Sequence, residues 1–141
     1  DKIYHANTLL AIIVRAQYGS EGISFFTPDD FSQQLAYLNH PAGKTIPPHV
    51  HNKVSREVQL TQEVLFLRKG RLQIDFYDDR HQYLESRVLN AGDVALLASG
   101  GHGFTVLEEI EMFEVKQGPY AGEQDKTRFP AVASDKLRIT E

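Results

Sequence analysis

The chain contains no cysteine among its 141 residues. This excludes disulfide staples and thiolate ligands, leaving imidazole and oxygen donors for any metal. Runs of like charge are also missing. Fifteen Lys and Arg stand against nineteen Asp and Glu, and neither sign gathers into the patch that a phosphate backbone or a membrane surface would need. Nucleic acid and membrane are therefore not expected as partners. The longest apolar run near the N-terminus, Leu9 to Val14, is too short to cross a bilayer and is stopped by Arg15; it reads as a buried strand. With no signal-like n-region or cleavage site, a cytoplasmic location is expected. No stretch sustains a helical period of useful length.

What is present is a succession of short apolar runs. Ile23 to Phe26, Gln34 to Leu38, Glu63 to Leu67, Arg71 to Tyr77, Leu84 to Leu89, Asp93 to Leu97, Phe104 to Leu107 and Ile110 to Lys116 follow Leu9 to Val14. Turn-forming residues separate them, among them Pro41-Ala42-Gly43, Lys69-Gly70, Ala91-Gly92 and Gly100-Gly101. Many short strands at such spacing predict an all-β sandwich or barrel, and the length fits one domain with a single core.

Histidine carries the chemistry. In His49-Val50-His51 two imidazoles lie two residues apart, so on an extended strand they share a face and can converge on one ion. Glu63 and His102 offer a carboxylate and a third imidazole, a mixed N/O set that suits one divalent ion of Mn, Fe, Co, Ni or Zn. If Glu63 faces the interior, alternation brings Leu65 and Leu67 inward with it, and an inward His102 brings Phe104 and Val106. Leu65, Gln73 and Phe104 are the expected pocket-lining residues. Gln73, Tyr77, Lys116 and Arg71 are candidates for orienting a substrate, yet none sits at a spacing that marks a general acid or base, so no catalytic residue is assigned.

These residues resemble the cupin superfamily. Gly43, five residues, then His49-Val50-His51 matches the start of its first motif, and Glu63, six residues, Gly70 matches the end. A second motif is visible from Gly92-Asp93-Val94 to His102. Eleven residues separate His51 from Glu63 where the family usually has a few, which makes Glu57 a rival ligand. Ala98 stands where proline is usual, and Val106 where an asparagine often follows the histidine. The resemblance implies a single-domain double-stranded β-helix, or jelly-roll barrel, with residues 1–33 as N-terminal strands, 34–118 as the barrel core and 119–141 as a C-terminal strap.

It also implies a metal held by His49, His51, Glu63 and His102, and a small oxygenated ligand. Small stand-alone cupins of surface-polysaccharide and sugar-nucleotide pathways look similar, particularly over Thr61 to Tyr120. Three functions follow as expectations: a metal-dependent enzyme, a non-catalytic ligand-binding module, or a metal-independent sugar-nucleotide isomerase or epimerase. A homodimer is expected because barrels of this kind have edge strands to cover.

Overall fold

The computed structural model describes all 141 residues. Strands hold 45% of the chain and helix 5%, so the all-β class is observed. Nine strands form: β1 (Lys2–His5), β2 (Thr8–Val14), β3 (Gly22–Phe25), β4 (Ala36–Asn39), β5 (Glu63–Tyr77), β6 (Tyr83–Asn90), β7 (Val94–Leu97), β8 (Gly101–Lys116) and β9 (Ile139–Thr140). Seven of them make one sheet in the order β1-β2-β7-β5-β6-β9, with β8 along the other edge of β5. The sheet curls into a half-barrel. β3 and β4 form a separate two-stranded sheet.

The two longest strands each absorb two of the expected ones. Glu63 to Leu67 and Arg71 to Tyr77 are halves of β5, and β8 likewise joins Phe104 to Leu107 with Ile110 to Lys116. β7 pairs with the first half of β5 and β6 with the second, while β8 follows it from Glu63↔Lys116 to Tyr77↔Gly101. Register shifts interrupt this ladder between Leu67 and Leu72. The bend is centred on Gly70, whose φ is +83° and where an added Cβ would meet the Glu109 carbonyl oxygen at 2.0 Å. Only glycine tolerates both conditions without displacing the partner strand.

The concave face holds the core. Leu65, Leu67, Leu72, Ile74 and Phe76 of β5 pack with Ile3, Leu10, Ala11, Ile13, Leu89, Ala95 and Leu97. β2 is apolar along almost its whole length because both of its faces are covered; Ile12 packs on the other side with Leu96 and Ala98. Asp93 is buried and ties its own turn to the chain just after β2. Its carboxylate accepts from Arg15 Nη1 at 3.0 Å, from the Ala16 amide at 2.8 Å and from the Asn90 amide at 2.9 Å.

The C-terminal segment after Pro119 is fastened to the end of β5 and to β6. The Val132 amide donates to Tyr77 Oη at 3.1 Å, Phe129 packs edge-on against Tyr77 and stacks on His81, and β9 runs parallel to β6. By contrast residues 40–60 form no helix or strand, and nearly every side chain in them is exposed. They leave the body as an arm between β4 and β5. No helix is long and apolar enough to cross a membrane.

Candidate functional site

Glu63 opens β5 and His102 lies near the start of β8, opposite Phe76 at the other end of the same ladder. On a flat ribbon the two would lie about 40 Å apart, at roughly 3.3 Å per residue. The bend at Gly70 removes that distance. His102 Nε2 stands 3.4 Å from Glu63 Oε2, so the ends of the ribbon meet.

Lys116, the ladder partner of Glu63, places Nζ 3.1 Å from Glu63 Oε1 and 3.0 Å from Glu114 Oε1. Residues directly opposite in an antiparallel pair share a face, so Lys116, Glu114 and Met112 project to the side of Glu63, Leu65 and Leu67. The His102 imidazole chiefly, with the Lys116 ammonium, holds the Glu63 carboxyl below the ordinary carboxylate range, against the burial that pushes it up. Lys116 is pushed up to about 12 by Glu114 first and Glu63 second. Glu63 is therefore an anion in a largely buried position, with one oxygen facing an ammonium and the other facing an imidazole.

A cleft of about 650 Å³ opens over this pair. Gln59 to Thr61, the Leu97 to Gly103 turn and Asp125 to Phe129 of the C-terminal segment wall it. Phe104 follows His102 on the same face, with ring centroids 5.3 Å apart, and lies opposite Ile74. A second cleft of about 710 Å³ lies between the Asp29 to Gln34 loop and the base of the arm; it holds no histidine and one of its walls is the exposed arm itself.

The structure brings together two of the four expected metal ligands. Two ligands on adjacent positions of an octahedral ion, each about 2.1 Å from it, lie about 3 Å apart, so the Glu63–His102 separation fits a shared ion. His49 and His51 are on the arm, their rings 5.2 Å from each other, and His49 Nδ1 lies 3.0 Å from the Pro47 carbonyl oxygen. No group of three potential ligands forms within this single chain. Glu57 is exposed on the arm, where it accepts from Gln59 Nε2 at 2.8 Å.

Of the expected lining residues, Leu65 is fully buried in the core beneath Glu63. Gln73 is turned to the opposite face. Its neighbours Leu72 and Ile74 join the cluster of Leu65, and its own Nε2 donates to Asp75 Oδ1 at 2.7 Å in a buried network that includes Ser86 and Tyr83. The irregular pairing between Leu67 and Leu72 shifts the alternation by one, so counting in twos from Glu63 gives the wrong face beyond Gly70. Lys116 was expected from sequence only as a candidate for orienting a substrate; its pairing with Glu63 follows from strand register and carries no sequence motif.

Comparison with known protein families, with curated proteins and with solved structures finds no match for this chain.

Proposed function

We propose that the protein is a cupin-type metal-binding protein in which His49, His51, Glu63 and His102 hold one divalent ion and the cleft above it takes a small oxygenated, carbohydrate-related molecule. The observation that carries this reading is the 3.4 Å approach of His102 to Glu63 from opposite ends of the β5/β8 ladder. A bound ion would act as a Lewis acid on a carbonyl or hydroxyl oxygen. The chain's own contribution is to keep Glu63 anionic, to orient His102 against it, and to wall the position with apolar side chains and the C-terminal segment. A cleft of this size, with Lys126, Thr127, Arg128 and Asp79 among its walls, suits a hydroxylated or anionic small molecule.

Elemental analysis of protein purified without added metal is the direct test. One ion per chain is expected; Glu63→Gln should lower retention by about tenfold or more while Glu57→Gln leaves it unchanged. Equal loss from both changes would remove Glu63 from the ligand set.

Lys116 favours a second reading. Its ammonium already neutralises one Glu63 oxygen, and a carboxylate oriented against an imidazole is also a metal-free acid–base pair, as the sugar-nucleotide isomerase reading requires. Absence of stoichiometric metal, together with ligand binding that survives His49→Ala, selects this alternative.

A further inference from the structure

The arm and the outer edge of β8 are each left incomplete in the same chain. β8 pairs with β5 alone, so one edge of a sixteen-residue strand offers unpaired amides and carbonyls, and Phe104, Val106, Leu107, Phe113 and Val115 on it are substantially exposed. Long open edges with apolar side chains are normally covered. The arm carries the matching deficit: Ile46, Val50, Val54, Val58 and Leu60 are exposed, and its backbone has almost no internal partners beyond the Lys44 amide on the Pro41 carbonyl.

Both roots of the arm are anchored, and its C-terminal part, Arg56 to Leu60, lines clefts on its own body. At the C-terminal root, Gln62 is buried and its side-chain oxygen accepts from Ser32 Oγ and the Gln33 amide, while Thr61 Oγ1 donates to Asp125 Oδ1 at 2.5 Å. At the N-terminal root, β4 is held by β3. Between them Pro47-Pro48 stiffens the chain in an extended conformation that resists folding back. β3 and β4 pair only with each other, while Phe26, Phe31 and Leu35 beside them pack on Ile12, Leu96 and Ala98 of the main sheet.

We infer that the arm of one copy adds as a strand to the free β8 edge of a second copy, and the reverse, so that His49 and His51 of each chain complete the Glu63–His102 pair of the other. A two-fold exchange satisfies both deficits with one contact and closes on itself. Val50, the most exposed apolar residue of the arm at 84%, then faces away from the ion and covers the outer side of β8. The inference rests on the metal reading for its histidines, but the strand exchange stands on the open edge and the unpaired arm.

Two measurements separate the parts. Chains carrying His49→Ala with His51→Ala are co-refolded with an equal amount of chains carrying Glu63→Ala with His102→Ala, and zinc content is read after equilibrium dialysis. Neither variant alone should hold the ion, and the mixture should recover about one quarter of the wild-type content, since half of the dimers are mixed and each has one intact site. Wild type that loads zinc beside a mixture that does not would overturn the exchange. Wild type that holds no zinc would overturn the metal reading alone.

The exchange is then decided by a second variant. The chain has no cysteine of its own, so Val50→Cys with Thr105→Cys introduces the only two thiols. Oxidation should link two chains, doubling the mass on a non-reducing gel; a bond within one chain, or unreacted thiols, would refute the exchange.

Discussion

The two edges of β5 are treated very differently. On one side β7, then β6, with β2 beyond, enclose side chains so completely that Leu65, Leu67, Ile74 and Leu89 have essentially no exposure. On the other side β8 is the last strand, and most of its sixteen residues are exposed on at least one face. The ionisable groups lie where these two regimes meet. Glu63 belongs to the enclosed side by burial and to the open side through Lys116 and His102. A carboxylate so placed is largely shielded from water and still reachable from the cleft.

Substitutions can break this contrast, the largest effect being expected in the enclosed region. Phe76→Ala should cost about 3–5 kcal/mol in urea denaturation, because the ring is fully buried in the core cluster; a loss under about 1 kcal/mol would show that the enclosed side is loosely packed. Gly70→Ala should cost about 2 kcal/mol or more, since the added methyl meets the Glu109 carbonyl. Unchanged thermal stability in that variant would mean that the ribbon does not need its bend.

Tyr77→Phe removes the hydroxyl that accepts from the Val132 amide and should cost about 1 kcal/mol, with faster proteolytic cleavage after Pro119 as its signature. Equal cleavage rates would indicate that packing against Phe129 suffices to hold the C-terminal segment.

The smallest effect belongs to the exposed turn at Asp78. Amides of Gln82 and Arg80 bond its carboxylate, and the Gln82 bond chiefly holds its pKa below the ordinary value. A folded pKa lower than the unfolded one gives stability that is present above the unfolded value and lost as pH falls through the folded one. Wild-type Tm should therefore fall more between about pH 5 and about pH 3 than that of Asp78→Asn. Parallel curves would assign the turn no electrostatic part in stability.

Much of the strand placement along the chain was legible because it follows from alternation and turn residues: β2, β3, β6 and β7 lie within a residue or two of the apolar runs that announce them. β1 was not, since Lys2-Ile3-Tyr4-His5 has one buried residue and no apolar run; its place comes from pairing with β2. β9 is two residues held by β6. The family resemblance implied four ligands around one ion; Glu63 and His102 meet while His49 and His51 stand on the arm, and Lys116 beside Glu63 depends on long-range register. Gln73 shows the limit most clearly: the irregular steps between Leu67 and Leu72 together reverse its facing, and nothing local announces whether such steps add to or cancel the alternation.

The joining of Glu63 to His102 across the whole length of the ribbon makes the pair a gauge of assembly. A slip of two positions anywhere along β5/β8 preserves which side each residue faces and leaves the hydrophobic pattern intact, yet displaces one partner by about 7 Å. Chains folded with that error would look nearly native by their secondary structure while losing the carboxylate–imidazole contact, so the nitrogen resonances of His102 report correct closure more sharply than circular dichroism does.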